Sequence, residues 1–174
     1  VIPPTLETAR LRLRAVRLDD FDPLYAGLCD PAVNRYLGGT PAREEFWGKL
    51  LRIPGQWALD GFGVFVVADR ATDVAIGQTG LARFRRDMTP GFGDEPEHSW
   101  IIGQGAGRGL ATEAATAALA WMERTHAPER TVCLAHPDNA ASLRVAAKLG
   151  YRAFDRTLYK GAPAMLLERT GAAR

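Results

Sequence analysis

Residues 104–114 read Gln-Gly-Ala-Gly-Arg-Gly-Leu-Ala-Thr-Glu-Ala, a glycine-rich turn between an apolar run (Trp100, Ile101, Ile102) and a long alanine-rich stretch. The chemistry open to such a turn is anion binding. The first N–H groups of a helix have no intrahelical partner, and the helix dipole adds about half a positive charge there. Glycine lets a phosphate reach those groups where a β-carbon would hold it off. Two well-known phosphate signatures fail here. The only Gly-Lys pair, Gly48-Lys49, is followed by Leu50 rather than a hydroxyl residue, so there is no Walker loop. A dinucleotide fingerprint begun at Gly105 and Gly107 meets Leu110 where its third glycine belongs.

The elements that must position this turn follow from periodicity. Leu11 to Ala15 alternates with period two and predicts a first strand, with Arg10, Arg12 and Arg14 on its wet face. Asp19 and Asp20 offer an N-cap to a helix burying Phe21, Leu24 and Leu28. Thr40-Pro41 opens a second helix with Phe46, Trp47, Leu50 and Leu51 on one face, which Pro54-Gly55 is expected to stop. Strands are predicted over 64–68 and 74–84, then a loop rich in Gly, Pro and Asp over 85–96, then a strand over 98–102. After the glycine turn, Leu110, Ala114, Ala117, Ala118 and Trp121 share a helical face. A strand over 131–135, a helix from about Asn139 to Leu149 stopped by Gly150, and strands near 151–155 and 165–168 complete the chain. Consecutive strands imply hairpins, so the expected class is α+β with a mixed, mostly antiparallel sheet of about seven strands and about four helices.

Composition narrows the function classes. At 174 residues a single domain spanning 1–174 is expected. The 24% charged and 47% hydrophobic residues fit a globular protein, and a net charge of +2 gives no case for nucleic acid. Cys29 and Cys133 stand alone, and His98, His126 and His136 share no ligand spacing, so no metal site is predicted. No apolar run is long enough to span a membrane and no signal-peptide pattern opens the chain, so a reducing, cytoplasmic location is expected. Because the chain opens on Val1 rather than Met, an upstream segment is allowed for.

Read from Gln104, the turn is Gln-x-x-Gly-x-Gly, which resembles the acetyl-CoA pyrophosphate loop of the GNAT superfamily of N-acetyltransferases. Three further segments carry the same resemblance in family order: Leu6-Glu7-Thr8 with Leu11 to Arg14, Ile76 to Leu81, and Asn139 to Tyr151. Together they span residues 6–151, and the chain looks most similar to the ribosomal-protein N-terminal alanine acetyltransferase (RimJ/RimL-like) branch. The implied fold is the GNAT fold. The implied function is transfer of the acetyl group of acetyl-CoA, as cosubstrate and without a metal, to a primary amine: a peptide N-terminus or a small-molecule amine. The resemblance allows a monomer or a homodimer, with no nucleic acid and no membrane as partner.

On that resemblance Gln104, Gly105, Gly107, Arg108, Gly109, Leu110, Ala111 and Thr112 hold the pyrophosphate. Arg108 is either a phosphate partner or a solvated arginine. The pantetheine arm lies like an extra strand beside Trp100, Ile101 and Ile102, with Asn139 reaching it or simply capping the next helix. Glu97 stands where the family has a glutamate before the loop and is the candidate base, directly or through a water, with Asp94 and Glu95 as neighbouring alternatives. Many relatives carry a tyrosine seven residues after the asparagine as proton donor to the thiolate. Here that position is Ala146, and Ser142 is the replacement, with Tyr151 and Tyr159 as fallbacks. The missing tyrosine keeps open an alternative, a GNAT-fold module that binds CoA or an amine without turnover. A third reading is a protein that uses the glycine turn for ATP or NAD.

Overall fold

A computed structural model describes residues 2–103 and 107–171. The element order is β1 (Leu6–Glu7), β2 (Leu11–Arg14), α1 (Phe21–Leu28), α2 (Pro31–Asn34), α3 (Arg43–Asp60), β3 (Val64–Asp69), β4 (Ala75–Ala82), β5 (Glu97–Ile102), α4 (Leu110–Thr125), β6 (Arg130–Ala135), α5 (Ala140–Lys148), β7 (Arg152–Tyr159) and β8 (Ala162–Thr170). One eight-stranded sheet runs in the order β1-β2-β3-β4-β5-β6-β8-β7. Every pairing is antiparallel except β5 with β6. The α+β class and mixed sheet are as the sequence implies. The counts are higher than its seven strands and four helices, because the two-residue β1 and the four-residue α2 are too short to show a period.

Hydrophobic residues from α1, α3, β2, β3 and α4 form one core, with Leu13, Leu24, Trp57, Val66 and Ala118 fully enclosed. A second core joins α4 to β6, α5 and β8 through Leu119, Met122, Cys133, Ala146 and Leu167. On the other face of β6 and β8, Val132 and Leu166 pack under Phe92 from the 83–96 loop. The parity of Val132 against Cys133, and of Leu166 against Leu167, separates the two faces as the strand pleat requires.

Three expectations give way to tertiary packing. Helix α3 does not stop at Pro54-Gly55 but runs on to Asp60, ended by Gly61 at φ 74°. Proline inside a helix removes one bond and clashes with the preceding turn, at about 3 kcal/mol. Against that, Ile53 and Trp57 lie in the core, and the Trp57 indole donates to Val64 O at 2.9 Å. The start of α3 also shifts: Ala42, not Thr40, is its N-cap residue, with the Glu45 carboxylate accepting from Ala42 N. Arg14 is not on a wet face. It is buried and bidentate to the buried Asp20 carboxylate at 2.8 and 2.7 Å, which is why Asp20 braces β2 instead of capping α1.

Candidate active site

The parallel pair β5–β6 is joined at one register position, Glu97 with Val132, where Val132 N donates to Pro96 O at 3.1 Å. Beyond it the strands part. Main-chain direction alternates along a strand, and Gly103 N bonds to β4 at Ile76 O. The main-chain groups of Trp100 and Ile102 therefore face the gap rather than β4. The result is a wedge between two strands with donors and acceptors along one side.

The wedge opens into a cleft of about 790 Å³. Its walls include Trp100, Ile101, Ile102, Gly107, Gly109, Leu110, Ala111, Thr112, Asn139 and Ser142, ten of the residues singled out from the sequence. At one end α4 begins after Gly109 at φ 78°, and its first helical bond is Glu113 N to Gly109 O at 3.0 Å. The N–H groups of Leu110, Ala111 and Thr112 precede that bond and are free of the helix ladder, as an anion site needs. Gln104 and Gly105 lie outside the described residues.

Along the wall the Trp100 indole donates to Ser142 Oγ at 3.3 Å, bringing β5 and α5 together at the cleft. Asn139 caps α5, its Oδ1 accepting from Ser142 N at 3.1 Å, and still lines the cleft, so the two readings of this residue coexist. Arg108 does not line the cleft, and its carbonyl accepts from Arg10 Nη1 at 2.9 Å.

Glu97 sits elsewhere. It shares parity with Val132 and lies on the face covered by the 83–96 loop, beside a second, smaller hollow of about 350 Å³ lined by Phe84, Met88 and Phe92. It is 3% exposed. Arg86 grips it, Nε to Oε2 at 2.7 Å and Nη2 to Oε1 at 2.6 Å, and also donates to the Tyr159 hydroxyl at 3.1 Å. Burial pushes the Glu97 carboxyl above its ordinary value, and Arg86 pulls in the opposite direction without reversing it. The structure thus brings Trp100, Ser142, Asn139 and the start of α4 to one cleft and sets Glu97 at the point where that cleft closes, on the opposite face. Asp94 pairs with Arg85 at 2.7 Å and Glu95 with Arg130 at 3.8 Å, both more exposed than Glu97.

Tyr151 is core rather than site. It is buried, with its hydroxyl between Thr131 and His98, and burial raises its pKa. Sequence reasoning missed several cleft residues. Arg144 and Lys148 line it from α5 four residues apart, on the face shared with Ala141 and Val145, and that spacing was the available signal. Gly27 and Gly103 also line it, and a β-carbon on Gly103 would collide with the Gly27 carbonyl, so α1 buttresses the strand end directly. No local pattern announces that long-range contact. Among the described residues no group of three or more His, Cys, Asp or Glu is placed to hold a metal, and no helix is long and apolar enough to cross a membrane.

Residues 10–152 match the acetyltransferase (GNAT) domain family. A Bordetella pertussis protein described as a GNAT-family acetyltransferase is 32% identical, with a TM-score of 0.84, covering 97% of this chain and 100% of its own. An acetyltransferase from Agrobacterium tumefaciens is 26% identical, with a TM-score of 0.80, over 97% of this chain and 95% of its own. At 14% identity, a ribosomal alpha-N-protein acetyltransferase, RimL, solved in complex with coenzyme A, shares the fold at a TM-score of 0.74 over 98% of this chain and 100% of its own.

Proposed function

Because the chain belongs to the GNAT family of acetyltransferases, we propose that it moves the acetyl group of acetyl-CoA onto a primary amine, a peptide N-terminus or a small-molecule amine, by direct attack in a ternary complex. The observation that carries this reading is the wedge between β5 and β6, with free helix N–H groups at one end and a serine hydroxyl on its wall. The coenzyme A complex of the RimL fold relative supports the choice of cosubstrate, and that relative's ribosomal substrate makes a peptide N-terminus one acceptor to test.

In this reading the pyrophosphate rests on the N–H groups of Leu110, Ala111 and Thr112, with Gly107 and Gly109 keeping the approach open and Arg144 and Lys148 supplying positive charge at the cleft wall. The pantetheine arm takes the place of the missing β5–β6 ladder against the main chain of Trp100 and Ile102, with Ile101 and Asn139 alongside. The amine nitrogen attacks the thioester carbonyl; the C–N bond forms, the C–S bond breaks, and the electron pair leaves on sulfur. A main-chain N–H facing the wedge stabilises the charge on the carbonyl oxygen during attack. Ser142 accepts from the indole of Trp100, so its own O–H is free to donate a hydrogen bond to the departing thiolate, which takes its proton from solvent after release. The proton lost by the amine passes to Glu97 along a chain of waters, since that carboxylate lies beyond the closed end of the wedge and not in the cleft. Oε2 accepts from Arg86 Nε alone and keeps a lone pair for that purpose.

The grip of Arg86 on Glu97 also favours a second reading, a module that binds CoA or an amine without turnover. An acetyl-transfer screen over amines and peptides, with mass detection and thiol release measured together, separates them. Acetylated product with stoichiometric free CoA is expected. Tight acetyl-CoA binding with no product across the library leaves only the binding module. Stronger binding of ATP or NAD than of acetyl-CoA overturns both.

A further inference from the structure

The glycine turn is tied from behind by a polar cluster, Thr8, Arg10 and Glu113, none of which lines the cleft. Glu113, in the first turn of α4, accepts from Thr8 Oγ1 at 2.6 Å and from Arg10 N at 2.9 Å with one oxygen, and from Arg10 Nε at 2.7 Å with the other. Arg10 Nη2 lies 2.6 Å from that second oxygen, and Nη1 donates to Arg108 O at 2.9 Å. Every nitrogen of this guanidinium is committed, and its Nη2 lies 3.8 Å from where a β-carbon on Gly109 would be. The segment that presents Arg10 is itself held. Arg70 donates from its main chain to Arg10 O and from its side chain to Thr8 O, both at 2.9 Å.

We propose that Arg10 and Glu113 are positioning residues that fix the 107–109 turn in its binding shape before the cosubstrate arrives. The proposal rests on the acetyl-CoA reading of the cleft. Gly107 and Gly109 both have positive φ, at 83° and 78°, and the peptide between them would sample many conformations on its own. Anchoring the Arg108 carbonyl removes that freedom, so the N–H groups of Leu110 to Thr112 already point into the cleft and binding need not order them. Arg10 acts through the turn and not on the phosphate. Its charge is spent on Glu113, and neither residue lines the cleft.

The test uses Arg10→Met, Glu113→Gln and the double variant, each checked for fold by circular dichroism, with acetyl-CoA compared against S-acetylpantetheine, which lacks the pyrophosphate. Each single variant is expected to raise the Kd and KM for acetyl-CoA roughly ten-fold, and the double variant no further, because both remove one device. The kcat at saturation and the KM for S-acetylpantetheine should stay at wild-type values. Arg10→Lys should not rescue, since one ammonium cannot span the carboxylate and the carbonyl. Unchanged acetyl-CoA affinity with a lowered Tm would reduce the cluster to a structural tie and overturn the proposal. Tighter acetyl-CoA binding in Glu113→Gln would overturn it differently, by making a released Arg10 a phosphate ligand. If the wild-type protein binds neither thioester, the acetyl-transfer reading itself falls, a result distinct from either of these.

Discussion

A serine hydroxyl that accepts a hydrogen bond from an indole still has its own O–H to donate. That is the position of Ser142 against Trp100, and it sets the expected behaviour of Ser142→Ala: kcat falls while the KM for acetyl-CoA stays nearly constant, the pattern of a contact made mainly in the transition state. Steady-state kinetics decide it, and a wild-type kcat returns Ser142 to the first turn of α5 with no chemical role. For Glu97, replacement by Gln keeps the shape inside the Arg86 fork but removes the base. Turnover at pH 7 should drop by roughly 10²-fold, in the range of general-base contributions, with acetyl-CoA affinity unchanged. The loss should shrink at high pH, where the amine is already free; a pH–rate profile with full activity at pH 7 would exclude Glu97 as base. Residues announced by a motif were legible from sequence, as Ser142 and Asn139 were. Their environments were not. Arg86 lies eleven residues before Glu97 across a loop with no period, and nothing local says that its guanidinium closes on that carboxylate.

The two strands that bound the cleft read correctly from sequence because each is an apolar run ending at a glycine or a loop. Their parting did not. Register between strands is set by long-range contacts, and a parallel pair with one bridge looks in sequence like a pair with six. Helix α3 makes the converse point. Local propensity stops it at Pro54, and burial of Ile53 and Trp57 carries it past. The turn into α4 is where local and global demands agree, since Gly109 adopts a left-handed φ at the helix start and, in the proposed acetyl-CoA reading, must be bare to admit a phosphate. Gly109→Val puts a β-branched residue at φ 78° and a methyl pair toward Arg10. Acetyl-CoA affinity should weaken by about ten-fold or more by calorimetry, with the far-ultraviolet spectrum retained. Unaltered affinity would remove the pyrophosphate from this turn.

At the scale of the whole molecule, acid stability depends on a buried histidine next to Glu97, its ring 5.1 Å from that of Trp100. His98 is buried, its Nδ1 3.2 Å from the Tyr151 hydroxyl, and burial first, then the charge of Arg169, lowers its pKa to about 3. The unfolded chain takes up this proton from about pH 6.5 downward, whereas the folded protein resists until about 3. Stability is therefore lost as pH falls through that interval, by at most about 1.4 kcal/mol per pH unit from this group. Burial, and then the charge of Arg83, lowers the His126 pKa as well, and the paired carboxylates such as Asp73, held at about 2 by Arg17 and Arg12, act at lower pH. In His98→Phe the slope of unfolding free energy between pH 6 and 5, measured by urea titration, should flatten. An unchanged slope would assign acid sensitivity elsewhere. The single bridge between Glu97 and Val132 has a consequence at this scale too. Strands β1 to β5 form one hydrogen-bonded body and β6 to β8 another, joined there at one rung and through α4 and α5. A molecule laid along the open rungs would act as a splint between them, so in the proposed reading the cosubstrate would also be the ninth strand that makes the sheet continuous.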